Sequence, residues 1–234
     1  MLKLAIITGT HQGLGRALAE TFLENPTFKV WGLSRKNQIE HSNFTFFHTD
    51  LSKTDFLGSL PDQLPKASEY VLINNAAIIE PISPAHTIDA ESIEKIYRIN
   101  ILSVHLLSGW FIRCTLNKKA PKIIINISSG AGRYPITHWS AYCSTKAALD
   151  MLSECIALEY PTYRVYSLAP GMVDTPMQTL IRSKSLNDFP EVERFKAAYE
   201  NNILNDPYLV SKRIIHLLQN PLISLGVKIS IKDI

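Results

Sequence analysis

The sequence predicts a single α/β domain over residues 1–234, built on a doubly wound parallel sheet of about seven strands. Short β-branched runs alternate with helical stretches, the pattern of repeated βαβ units. Ile123, Ile124, Ile125 and Ile127 form a nearly unbroken apolar run, which suits a strand buried on both faces. Gly9, Gly13 and Gly15 sit where the first strand turns into the first helix.

In chain order, Leu4–Thr8 reads as the first strand and Gly13–Glu24 as its helix. Lys29–Ser34, Phe44–His48 and Tyr70–Asn74 are the next three strands, Lys122–Ser128 the fifth and Arg164–Ala169 the sixth. Val227–Ile231 is a candidate seventh. Asp89 is a plausible N-cap for a long helix. Another helix runs from about Ala141 to Tyr160 and stops at Pro161. Asp206-Pro207 pairs a cap with an N1 proline, and that helix ends around Asn220-Pro221. The stretch from Met172 to Asn205 is polar, irregular and long for a connection, so it reads as a substrate lid.

Of the 234 residues, 46% are hydrophobic, enough for a sizeable core. The net charge of +3 is mild and its cations are scattered, which argues against a nucleic-acid partner. No apolar run is long enough to span a membrane. The histidines show no metal-ligand spacing, and no metal is expected. Three cysteines without a C-x-x-C arrangement fit a reducing, cytoplasmic compartment. Met1–Ile7 passes straight into the glycine motif, so no targeting segment is expected.

After a strand, a backbone that turns sharply toward a pyrophosphate needs glycine, because a Cβ would block the turn, the ligand or the helix packing. Gly9, Gly13, Leu14 and Gly15 therefore read as the phosphate end of a Rossmann-type dinucleotide site, with the phosphates on the helix N-terminus. The second strand ends in Ser34-Arg35-Lys36. No acid is there to bind a ribose 2′-hydroxyl, and Arg35, with Ser34, can grip a 2′-phosphate, so NADP(H) is the expected cofactor. Asp50-Leu51 follows the third strand; Asp50 either bonds the adenine amino group or only forms the turn.

Tyr142 and Lys146 are four apart on a helix and share a face. A phenol with a pKa near ~10 is a poor proton donor or acceptor at neutral pH, and an adjacent ammonium together with an oxidised nicotinamide is expected to lower it. In reduction Tyr142 would protonate the carbonyl oxygen as hydride reaches carbon. Tyr208 and Lys212 have the same spacing but no Ser-bearing strand before them, and read as structural. The fifth strand instead delivers Ser128-Ser129-Gly130 to the carboxyl edge of the sheet, where ligands bind, and Ser129 can donate to a carbonyl.

These motifs resemble the short-chain dehydrogenase/reductase family over nearly the whole chain. The family's Thr-Gly-x-x-x-Gly-x-Gly matches Thr8, Gly9, Gly13 and Gly15, and its Asn-Asn-Ala-Gly matches Asn74-Asn75-Ala76-Ala77. Its asparagine, serine, tyrosine and lysine fall at Asn100, Ser129, Tyr142 and Lys146. The resemblance implies a water held at Asn100 that relays protons to the lysine; the other reading of Asn100 is an interior polar residue bonded to backbone. It also implies cofactor contacts at Asn75, Ala76, Pro170, Gly171, Val173 and Thr175. Asn126-Ile127-Ser128-Ser129-Gly130, His138–Cys143, Ala148-Leu149-Asp150-Met151 and Ala169–Gln178 are similar to the branch containing sepiapterin reductase and the bacterial benzil reductases.

That branch implies NADPH-dependent reduction of a small-molecule ketone or vicinal dicarbonyl, with Gly130, Trp139, Met172 and Met177 near the substrate or, for the last three, equally in core packing. The aspartate that anchors a pterin in the branch falls at Ser230, with Asp233 three residues on, so a pterin is not the expected substrate. The family associates through the helices of Asn100 and Tyr142, which implies a homodimer or homotetramer with Ala147, Ala148 and Met151 available for contact. A ketoacyl or hydroxysteroid reductase, or a non-catalytic NADP sensor, are the alternatives.

Overall fold

The computed structural model describes residues 2–220 and 226–234. Strand β1 (Lys3–Thr8) sets the frame. Its residues alternate between two cores: Ala5 and Ile7 pack on one face of the sheet, Leu4 and Ile6 on the other. The isoleucine run behaves the same way in β5 (Lys122–Ile127), with Ile123, Ile125 and Ile127 on the first face and Ile124 on the second.

The other strands are β2 (Phe28–Ser34), β3 (Phe44–His48), β4 (Tyr70–Asn74), β6 (Tyr163–Ala169) and β7 (Lys228–Ser230). All pair in parallel, in the order β3-β2-β1-β4-β5-β6-β7. Strand order reverses between β1 and β4, so the crevice at their carboxyl ends is the switch point where such sheets bind ligands. The expected strands lie within one or two residues of those observed. Val227 and Ile231 fall outside β7, because Ser230 and Asp233 cap a short turn over Ile231–Asp233.

Helix α1 (Gly13–Leu23) buries Leu14, Leu18 and Phe22 on the first face, beside Val210, Ile214 and Leu217 of α7 (Pro207–Gln219). Burying one side chain of this size contributes roughly 1.5–3 kcal/mol. Asp206 caps α7, accepting from the backbone N–H groups of Tyr208 and Leu209. The helix reaches Gln219 with Asn220 as its cap, and Pro221 lies outside the described residues.

The second face is covered by α3 (Ser103–Thr115) and α4 (Ser140–Glu159). Helix α2 (Ala90–Tyr97), capped by Asp89, runs into α3 through a π turn at Arg98–Leu102. A buried polar ladder ties this side together. Asn74 donates to Asn126 (2.8 Å) and Ser108, and Asn126 donates to Ser153 (2.8 Å). Among the described residues no helix is long and apolar enough to cross a membrane.

The expectation of an irregular lid over 172–205 needs correction. The segment contains helix α5 (Pro176–Arg182) and helix α6 (Val192–Glu200). Phe189, Val192, Phe195 and Ala198 recur at helical spacing and are all buried, but charged residues between them conceal the stripe. Both ends are pinned together: Asn205 donates to the Met172 carbonyl, and Asp174 donates to the Asn205 carbonyl.

Candidate active site

A cleft of about 730 Å3 opens over the carboxyl ends of the strands. At one end the loop from β1 to α1 forms its wall. Gly9 has φ +75° and Gly13 φ +57°, which L side chains rarely adopt. Helix α1 starts without a side-chain cap and with no acid in its first turn. Its first N–H groups are therefore free for an anion. Leu14 lines the cleft beside them, and His11 Nδ1 is buried there without a partner.

Gly15 does not line the cleft. A Cβ there would come 2.3 Å from the Gly9 carbonyl oxygen and 2.4 Å from Asn75 Nδ2, so this glycine serves helix packing rather than ligand contact. Asn75 and Ala76 do line the cleft, and both donate through backbone N–H to Thr8 Oγ1.

Ser34, Arg35, Asp50 and Leu51 form the adenosine side. The Ser52 hydrogen bond holds the Asp50 carboxyl below its ordinary value, and the charge of the exposed Arg35 adds a smaller push in the same direction. Asp50 Oδ1 accepts from the Ser52 backbone and hydroxyl, which is the turn-forming reading, yet the residue also reaches the cleft. The Ser34 hydroxyl donates to the Lys36 carbonyl at 2.6 Å. Lys36 and Thr49 line this end too and were not singled out from sequence, although Lys36 directly follows Arg35.

At the other end Ser129, Gly130, Tyr142 and Lys146 meet. The Lys146 ammonium lies 5.6 Å from the Tyr142 ring centre and donates to the Ile127 carbonyl at 2.8 Å. Burial pushes the Tyr142 phenol up to about 12, with the Ser129 hydrogen bond opposing. The lowered phenol pKa expected from sequence is therefore not what the protein groups around it produce, because desolvation of the phenolate dominates. Burial pulls Lys146 down to about 8, and Asp150 opposes that fall.

Asn100 lies behind the wall rather than on it. Its amide accepts from the Ile78 backbone N–H and donates to the Ile78 carbonyl and to Thr145 Oγ1. This is the interior, backbone-bonded reading of that residue. It sits in the π turn, a distortion common near functional sites.

Pro170, Gly171, Val173 and Thr175 line the cleft on the β6 side. Trp139, Met172 and Met177 complete it, and they also belong to core packing. Trp139 stacks on Phe189 at 5.3 Å and meets Tyr142 edge-on at 5.6 Å. Gln178 and Phe195 are further wall residues that sequence reading missed, because α5 and α6 were read as loop. Tyr208 bonds Glu20 of α1 and is absent from the cleft, consistent with its structural reading. Asp233 caps the Ser230 backbone N–H at 2.7 Å, so its carboxylate is already engaged.

Residues 3–186 match the family model described as short chain dehydrogenase. The chain belongs to the short chain dehydrogenase family. Members with this site are oxidoreductases acting on CH–OH and C=O groups with a nicotinamide cofactor, and so is this chain. It is 37% identical to the benzil reductase ((S)-benzoin forming) of Bacillus cereus, over 93% of this chain and 94% of that protein. It is 32% identical to sepiapterin reductase of Rattus norvegicus, over 99% of this chain and 97% of that protein. Among solved structures, that of the KRED1-Pglu enzyme superposes with a TM-score of 0.84 at 26% identity, covering 97% of this chain and 99% of the other.

Proposed function

We propose that this protein is an NADPH-dependent reductase of small aryl or alkyl ketones, with one carbonyl of a vicinal dicarbonyl as its preferred acceptor. The observation that carries the reading is the meeting of half-buried Ser129 with buried Tyr142 and Lys146 at one end of a dinucleotide-sized cleft. Similarity to a benzil reductase along 93% of the chain supports the dicarbonyl class. The apolar wall of Trp139, Met172 and Met177 supports an uncharged acceptor. The engaged Asp233 argues against a pterin.

The residues present fit the cofactor. The positive-φ glycines and the uncapped α1 suit a pyrophosphate, and Lys146 and Thr175, which line the same cleft, would take the nicotinamide half. When bound, the reduced nicotinamide supplies hydride. Tyr142 donates its phenolic proton to the carbonyl oxygen, and Ser129 donates a hydrogen bond to the same oxygen. Lys146 keeps a positive charge beside the phenolate that forms and holds the ribose. Asn100 fixes Thr145 between the two catalytic helix positions. The segment 172–205 acts as the lid over the acceptor. A homodimer or homotetramer would use the α4 face, where Met151 and Leu158 are exposed. Three unpaired cysteines support a cytoplasmic setting.

The test is NADPH oxidation with benzil and aliphatic diketones against ketoacyl and hydroxysteroid substrates. The highest kcat/KM is expected on a diketone, and preference for a ketoacyl thioester would overturn the reading. Arg35→Ala should lower kcat/KM for NADPH about 10- to 100-fold, the loss of charge-assisted bonds worth roughly 1.5–3 kcal/mol. Turnover with NADH should stay unchanged. An equal effect on both cofactors would remove Arg35 from 2′-phosphate recognition.

A further inference from the structure

Asp150 is a buried carboxylate that the mechanism above does not use. It is 4% exposed and lies on α4, one turn beyond Lys146 and two beyond Tyr142. A buried charge is costly unless it is well paired. Asp150 Oδ1 accepts from the Ser128 hydroxyl at 2.6 Å and from the Ser167 hydroxyl at 2.5 Å. Its Oδ2 faces Arg133 Nε at 3.4 Å, and Arg133 in turn donates to the Ile229 carbonyl at 3.1 Å. One carboxylate thus joins the end of β5, the turn after Ser129, β6 and β7 to the helix of the tyrosine and lysine.

The join lies where small movements matter. Ser128 immediately precedes Ser129, whose hydroxyl accepts from the Ala131 backbone N–H to start the turn Gly130–Gly132. That turn is pressed onto α4: a Cβ on Gly132 would come 2.8 Å from the Lys146 carbonyl carbon. Two serines alone would not require a carboxylate, since a neutral acceptor can satisfy two hydroxyls. Arg133 pairs with one oxygen of that charge, and the buried Lys146 lies one turn back on the same helix. Residues four apart on a helix are neighbours, and Lys146 makes no ion pair of its own among the described residues.

We propose that Asp150 is a positioning residue: it locks the Ser128-Ser129 turn against the helix of Tyr142 and Lys146 and supplies the negative charge one turn from the buried lysine. Several other charges near α4 are already engaged. Arg133 pairs with Asp150, Arg98 with Glu94, Lys228 with Glu154, and Arg164 bonds the Leu218 carbonyl. Tyr142 stays neutral until far above the pH at which Lys146 titrates. Lys146 is lowered to about 8, so its ammonium is present below that pH and is lost above it. Carbonyl reduction by the wild type is therefore expected to decline above about pH 8. Asp150 raises the lysine, so removing its charge moves this decline to lower pH.

The inference rests on the catalytic roles proposed above, and two measurements separate its failure from theirs. Asp150→Asn keeps an acceptor for both serines and removes the charge; Asp150→Ala removes both. In Asp150→Asn the alkaline limb of NADPH-driven diketone reduction should fall by about one pH unit, with kcat reduced only a few-fold near neutrality. In Asp150→Ala kcat should drop about 100-fold, the scale of a misplaced catalytic group, while NADPH affinity by fluorescence is retained. Direct NMR titration of Lys146 in the cofactor-free Asp150→Asn protein needs no substrate. A lowered lysine pKa there supports the inference even if no diketone is turned over. An unmoved lysine titration overturns it, as does wild-type kcat in Asp150→Ala. If Asp150→Ala does not fold, the lysine titration in Asp150→Asn decides alone.

Discussion

Tyr142→Phe is expected to lower NADPH-driven diketone reduction about 10²- to 10⁴-fold, the usual contribution of a positioned proton donor. The ring remains, so the edge-on contact with Trp139 and the packing beneath the cleft are kept. Only the hydroxyl is lost. NADPH binding should therefore survive, because the glycine turn and the α1 N-terminus lie at the other end of the cleft. The measurement is kcat by loss of NADPH absorbance, beside the dissociation constant by nucleotide fluorescence. Near-wild-type turnover would remove Tyr142 from the reaction.

The direction of the phenol shift matters for this variant. With its pKa pushed up to about 12, Tyr142 holds its proton at every physiological pH and enters reduction as a loaded acid. Alcohol oxidation begins instead from phenolate. It depends on the Lys146 ammonium and on the positive charge of an oxidised cofactor to bring the phenol down. Tyr142→Phe should abolish both directions. Lys146→Met should depress oxidation more than reduction.

Much of this arrangement could be read from residue types and spacing. The parallel sheet followed from the isoleucine run and its neighbours, whose burial on both faces leaves no polar alternation. Asp89 and Asp206 marked helix starts because a carboxylate in those positions satisfies backbone N–H groups, and both do so. Three features were hidden for physical reasons. In α6 only one face is buried, and Glu193, Arg194 and Lys196 dominate the composition around it. Gly15 looks like a ligand-facing glycine in a linear motif, yet it faces the Gly9 carbonyl and the side chain of Asn75, which lies just past β4 and is distant in sequence. The pKa of Tyr142 depends on burial, with Trp139 edge-on against its ring, and no local pattern reports desolvation.

Gly15→Ala separates local propensity from tertiary packing, because the two predict opposite signs. Inside a helix, alanine is favoured over glycine by about 1 kcal/mol. At this position the added Cβ would meet the Gly9 carbonyl oxygen at 2.3 Å and Asn75 Nδ2 at 2.4 Å. Neither neighbour can yield cheaply. Gly9 is held by its backbone bond to the Leu33 carbonyl at 2.8 Å, and Asn75 donates to the Thr8 carbonyl at 3.0 Å. Helix α1 must then move away from β1, at a cost of roughly 1–3 kcal/mol for overpacking. A net loss of stability is expected, with Tm lowered by about 2–4 °C for each kcal/mol. The same movement withdraws the α1 N–H groups from the phosphate end, so NADPH affinity should fall more than about tenfold, or ~1.4 kcal/mol. Gly58→Ala is the matched control, since nothing lies within 4 Å of its added Cβ, and it should leave Tm and NADPH affinity unaltered. If Gly15→Ala instead raises Tm and binds NADPH normally, helix propensity has won. The close approach of α1 to the Gly9 turn would then not be what holds the cofactor loop in place.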